Sequence, residues 1–148
     1  MGSTFSSLQC HIVFSTKGRK SFIRPDWQDR LYEYMGGTLA GLGAVSRGIG
    51  GVADHVHILA GLKPTHAPAD VLRELKKASS AWVHQEIGLK SFAWQEGYAA
   101  FSVSPTAVKQ VQSYIARQEV HHRKKSFREE LIELLKKADI PFEPQFLD

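Results

Sequence analysis

From Leu8 onward the chain alternates, with Leu8, Cys10, Ile12 and Phe14 set against Gln9, His11, Val13 and Ser15. A period of two sends successive side chains to opposite faces, so residues 4–16 are predicted to form a strand with one face in a core and Phe5 near its start. After a basic loop at Lys17 to Ser21 the period changes. Pro25 suits the first position of a helix, and Leu31, Tyr34, Met35, Leu39 and Leu42 recur at helical spacing until Gly41 and Gly43 end the segment. Residues 44–52 are rich in glycine and lead directly into Val56, Ile58 and Leu59, which predicts an antiparallel hairpin. Pro64 and Pro68 introduce a second helix over residues 68–87, with Val71, Leu75, Ala78 and Trp82 as its buried stripe. A fourth strand is predicted over 92–103. Ser104 and Pro105 then cap a helix running to 119, with Val108, Val111 and Ile115 toward the core. An amphipathic helix over 127–138 and an irregular tail through Pro141 and Pro144 follow. Strand, helix, strand, strand, helix, strand is the order of the ferredoxin-like, split βαβ fold. The expected class is therefore α+β, an antiparallel sheet with helices on one face and the other face open, followed by C-terminal helices. No repeat or linker divides the chain, so residues 1–148 are predicted to be one domain, with 126–148 as its C-terminal helix and tail.

Composition supports a single core: 148 residues of which 43% are hydrophobic. Cys10 is the only cysteine and lies in an apolar run, so a buried thiol in a reducing, cytoplasmic setting is expected and an intrachain disulfide is excluded. There is no signal-peptide pattern and no apolar run near the roughly 18 residues of a membrane span, which predicts a soluble protein. Met1-Gly2-Ser3-Thr4-Phe5-Ser6 fits a myristoylation pattern only formally, since Phe5 begins the strand-like run. A net charge of +4 and a pI near 9.3 permit a polyanionic partner. The basic residues gather at Lys17-Gly18-Arg19-Lys20, at Arg73, Lys76 and Lys77, and at His121 to Lys125, and each cluster alone reads as a solvated face.

The candidate chemistry lies in Asp54-His55-Val56-His57-Ile58-Leu59. On a strand His55 and His57 project together while Val56 and Ile58 pack on the opposite side, and two imidazoles so placed can reach one divalent ion. A third ligand must come from elsewhere in the chain. Asp54 would point away from His55 on a regular strand and is given no catalytic role. Gly41-Leu42-Gly43 follows a helix and precedes a strand, the wrong context for a nucleotide-binding loop. In the helix after the last strand Tyr114 and Gln118 share a face, rotated roughly 75° from the core stripe.

The His-hydrophobic-His triplet His55-Val56-His57, Tyr114-Ile115-Ala116-Arg117-Gln118, and Val13-Phe14-Ser15-Thr16-Lys17 together resemble the single-tyrosine HUH transposases of small bacterial insertion sequences, including domesticated relatives associated with repetitive extragenic palindromes. Residues 94–103 also look like that family's strand before the tyrosine helix, and the likeness extends from about residue 5 to 122. It implies a metal site of His55, His57 and Gln118 holding Mg²⁺ or Mn²⁺, with Tyr114 as nucleophile. The implied product is a 5′-phosphotyrosine with a free 3′-hydroxyl, a linkage that allows rejoining without ATP. The implied substrate is single-stranded DNA with hairpins at transposon ends, met by Lys17, Arg19, Lys20, Arg73, Lys76, Lys77 and Arg123, with Ser79 and Ser80 adding hydrogen bonds. Also implied are a homodimer that joins its sheets, a tyrosine serving either its own subunit or its partner's, a C-terminal helix packed on the dimer, and a bacterial or archaeal cytoplasmic setting at the nucleoid. His11, His66, His84, His121 and His122 match no ligand position and read as structural or surface groups. The alternative within the family is a domesticated hairpin-binding nuclease or binding protein without autonomous transposition. A plain nucleic-acid-binding module would want exposed aromatics on the central strands, where Phe5 and Phe14 are poorly placed. A metal-dependent hydrolase would want more ligands after His57, where Ile58, Leu59 and Ala60 stand.

Overall fold

The alternating run becomes β1 (Leu8–Ser15). It begins later than its pattern predicts, for Phe5 is 92% exposed and takes no part in the sheet. In this computed structural model, which describes residues 2–147, β1 pairs antiparallel with both β3 (His55–Leu62) and β4 (Ala99–Val103), and β2 (Val45–Val52) flanks β3. Met1, where the formal myristoylation pattern begins, lies outside the described residues. The strand order β2-β3-β1-β4 is that of the ferredoxin-like sheet, and the class is α+β as expected.

One face of the sheet is covered by α1 (Pro25–Gly41) and α2 (Pro68–Trp82). Trp27, Leu31, Met35 and Leu39 from α1 and Val71, Leu72 and Leu75 from α2 meet Ile12, Phe14, Val56 and Ile58 in the main core. Leu72 belongs to this stripe although its spacing had not marked it, while Ala78 is only partly buried. One π-helical turn, Val83–Ile87, ends α2, and Gly88 closes it in the left-handed region at φ 80°.

The predicted strand over 92–103 is strand only at its end. Phe92 and Trp94 are spent filling the core margin: Trp94 packs edge-on to Phe14 at 4.8 Å and donates its Nε1–H to Ser79 Oγ at 2.9 Å. A single bridge, Trp94 to Thr16, is all that this half contributes to pairing.

The other sheet face is not open. The predicted helix over 105–119 is a 3₁₀ turn (Pro105–Ala107), then α3 (Val108–Ala116) and α4 (Gln118–His122), parted at Arg117, whose φ −102° and ψ 22° are not helical. Only Ile115 of its expected stripe is buried, Val108 and Val111 being partly exposed. Ile115 lies so close to β2 that a Cβ on Gly50 would come within 2.3 Å of its carbonyl oxygen, so the glycines that weaken β2 as a strand are what admit the helix. A last helix, α5 (Phe127–Lys137), opens with a capping box in which Ser126 and Glu129 bond reciprocally. It seats Phe127, Leu131 and Leu135 on Val13, with Ala99, Phe101, Phe142 and Leu147 around them. The C-terminal helix therefore packs on its own sheet. Among the described residues no helix is long and apolar enough to cross a membrane.

Candidate metal centre and tyrosine

The alternation that sends Val56 and Ile58 into the main core sends His55 and His57 to the second face, where both are fully buried. From the neighbouring strand His11 stacks on His57, ring centroids 5.0 Å apart, with His11 Nε2 and His57 Nδ1 2.8 Å apart. The helices then bring three more groups over the pair. α4 supplies Gln118 and His122, and α5 supplies Glu130, a carboxylate only 1% exposed.

Glu130 is the hub. Its Oε1 lies 3.3 Å from His55 Nε2, 3.0 Å from His57 Nε2 and 3.0 Å from His122 Nε2. Its Oε2 accepts hydrogen bonds from the Tyr114 hydroxyl and, at 3.0 Å, from Gln118 Nε2, with His121 Nε2 at 3.3 Å. Gln118 Oε1 is 3.2 Å from His55 Nε2 and 3.0 Å from His122 Nε2. The break at Arg117 moves Gln118 off the regular helical position below Tyr114, yet both side chains meet the same carboxylate. One ligand atom from each of His55, His57, His122 and Glu130 lies within 4.8 Å of the others, so this group can hold a metal ion.

The electrostatics follow from burial and partners. Burial alone would raise the Glu130 carboxyl, but hydrogen bonds from His122, His55 and His57 hold it far below the ordinary carboxylate range. Burial pulls His55 down, yet bonds to Asp54 and Glu130 outweigh it and push the imidazole up to about 9. His57 is lowered, first by burial. His11 falls to about 3 through burial and the neighbouring His57. Tyr114 is raised, first by burial and then by its bond to Glu130, so its hydroxyl keeps its proton and donates it to the carboxylate.

Several sequence readings change here. Asp54 does not point away from its neighbour: it sits in the turn between β2 and β3, where alternation does not hold, and its Oδ1 accepts the His55 Nδ1–H at 2.7 Å. His11 and His122, read as structural or surface groups, border the centre. His66 and His84 are structural as expected, donating to the carbonyls of Leu42 at 2.8 Å and Phe92 at 2.7 Å. Glu130 escaped the sequence reading, although one signal existed: a carboxylate three residues after Phe127, inside the apolar stripe of the last helix.

The basic candidates fall in separate places. Lys17 and Arg19 form a 3₁₀ turn after β1, with Lys20 beside it. Arg73, Lys76 and Lys77 line a groove of about 460 Å³ with Trp94 and Tyr98. Within it Lys76 turns inward, its Nζ donating to the carbonyls of Gln95, Glu96 and Gly97 at 2.9, 3.2 and 2.7 Å, while Arg73 pairs with Asp70 at 3.0 Å. Arg123 and Lys125 border another hollow, which Asp54 and His122 also line.

The profile of the family described as IS200-like transposase matches residues 4–118. No match is found among curated proteins. Among solved structures, a candidate transposase from Deinococcus radiodurans R1 aligns with a TM-score of 0.64 and 23% identity over 80% of this chain and 95% of the other. A REP-associated tyrosine transposase bound to a REP hairpin aligns with a TM-score of 0.60 and 16% identity over 82% of this chain and 74% of the other. At these identities the structural likenesses establish the shared fold.

Proposed function

The chain belongs to the IS200-like transposase family, and on that premise we propose that it cleaves and rejoins single-stranded DNA through Tyr114, with His55, His57 and Gln118 as ligands of Mg²⁺ or Mn²⁺. The observation that carries this reading is convergence: the Tyr114 hydroxyl, both histidines and Gln118 all lie against one buried carboxylate. When bound, the ion would polarise a DNA phosphate and stabilise the charge that develops on it.

The remaining work falls to the chain. Tyr114 oxygen attacks phosphorus, the new O–P bond forms as the P–O3′ bond breaks, and the 3′-oxygen leaves to become a hydroxyl. The phenolic proton already points at Glu130 Oε2, which gives it an acceptor. Asp54 holds the His55 ring from behind, and His11 holds His57. Reversal with a different 3′-hydroxyl rejoins the strand without ATP. The convergence of all these groups within one chain supports a tyrosine that serves its own subunit's histidines. A DNA strand would approach past Arg123 and the Lys17–Lys20 turn, whose charges fix position without reading sequence. Arg73 and Lys77 offer a second phosphate-binding strip along α2. The hairpin carried by the REP-associated neighbour supports hairpin DNA as the substrate, met in the cytoplasm at the nucleoid.

The test is incubation with single-stranded DNA from the native flanks, hairpins included, in Mn²⁺ or EDTA. A denaturant-resistant adduct that needs both the metal and Tyr114 is expected. Tight hairpin binding with no adduct from either wild type or Tyr114→Phe would leave a hairpin-binding protein instead.

A further inference from the structure

The family profile matches residues 4–118, and two of the groups in the cluster lie beyond that match. We propose that His122 and Glu130 are metal ligands of this chain, completing with His55, His57 and Gln118 a five-donor centre that the C-terminal helices close. The proposal rests on the metal-dependent reading above and extends it.

Distances make the first argument. Two donors at right angles about one ion, each at about 2.1 Å, lie about 3.0 Å apart. Glu130 Oε1 keeps separations of 3.0 to 3.3 Å from three imidazole nitrogens, and Gln118 Oε1 keeps 3.0 and 3.2 Å from two of them.

Hydrogen-bond roles make the second. His122 Nδ1 lies 2.6 Å from the carbonyl oxygen of Lys125, so that nitrogen must carry a proton. Its Nε2, on the opposite edge of the ring, faces two oxygens, Gln118 Oε1 and Glu130 Oε1. His55 repeats the arrangement, with Nδ1–H on Asp54 and Nε2 toward the same two oxygens. A divalent cation would take the place of the protons that link Nε2 to these oxygens, and the outward Nδ1–H bonds are the supports that metal-binding histidines commonly have.

Packing makes the third. A carboxylate 1% exposed is costly to hold in place. Here Phe127, Leu131 and Leu135 of the same helix anchor on Val13, and this seating delivers Glu130 to the cluster. The other carboxylate oxygen keeps the Tyr114 hydroxyl, so one side chain would join the ion's ligand set to the nucleophile.

The experiment is calorimetric titration of the EDTA-stripped full chain with MnCl₂, comparing wild type with His122→Ala, Glu130→Gln, His55→Ala and His57→Ala. Each of the first two is expected to weaken Mn²⁺ binding by at least about tenfold. Wild-type affinity in both, or tighter binding in Glu130→Gln, overturns the proposal. If His55→Ala and His57→Ala lose the ion while the other two keep it, only this proposal falls. If wild type binds no Mn²⁺, or all four variants bind as wild type does, the metal-dependent reading falls with it. Should either variant fail to fold, pulsed electron paramagnetic resonance on Mn²⁺-loaded wild type counts coordinated imidazoles. Three support the proposal and two overturn it.

Discussion

His57 and Ile58 are neighbours on β3, both fully buried, and they belong to different chemistries. Ile58 faces α1 and α2 among aliphatic and aromatic side chains, whereas His57 faces α5 among imidazoles and a carboxylate. On the first face burial is itself the stabilising force, about 25 cal/mol for each Å² of apolar surface removed from water. On the second, burial works against every imidazole and the carboxylate, and is offset by hydrogen bonds among them and by the apolar seat of α5. A sheet with period-two side chains can thus carry an apolar scaffold and a cluster of titratable groups one residue apart.

The difference can be broken most severely at the proposed nucleophile. Tyr114→Phe removes one oxygen from the second face and should abolish adduct formation, by roughly 10⁴-fold or more in single-turnover assays. Its melting temperature should stay close to that of wild type. Next, the adjacent pair separates the two chemistries: Ile58→Ala should lower stability by about 2–5 kcal/mol in urea titrations while the folded fraction still forms adduct. His57→Ala should lose adduct formation with a much smaller change in the urea midpoint in EDTA. Equal losses of stability from both substitutions would mean that the faces are not energetically distinct.

Gly50→Ala tests the close approach on which the second face depends. Its Cβ would meet the Ile115 carbonyl at 2.3 Å, so α3 must shift and carry Tyr114 with it. Adduct formation should slow by about 10²-fold, with a stability loss of about 1–3 kcal/mol. The smallest expected effect lies at the edge of the first face. Lys76 Nζ sits 4.9 Å above the Phe14 ring, and burial pulls its ammonium down to about 8 from 10.5. Between those values the unfolded chain binds more protons than the native one, so wild-type stability should rise with pH across that window relative to Lys76→Met. Parallel urea midpoints for the two proteins from pH 8 to 10.5 would remove burial as the controlling influence on that side chain.

The first face was legible in the sequence because its signals are local. Ile12 and Phe14 alternate, Leu31, Met35 and Leu39 recur helically, and Pro25 and Pro68 mark helix starts at their structural positions. The paired histidines were legible for the same reason. What stayed hidden depends on distant partners. Phe92 and Trp94 have the propensity of a strand, but their rings are drawn into the core end. No proline or glycine marks the break at Arg117. Glu130 stands within the apolar stripe of its helix, but its partner is a histidine 73 positions earlier in the chain, which no local pattern connects to it. Asp54 failed a rule of regular strands because it occupies a turn.

Since α5 follows the sheet in the chain, a ribosome makes it later. By the time β4 has emerged, three other strands and two helices are available to close the first face. The histidines of the second face meanwhile remain wet, without their carboxylate and without the ring of Phe127 that lies 4.5 Å from His55. Folding of the scaffold and assembly of the centre are therefore separated in time: a nascent chain can be well folded before it is chemically competent.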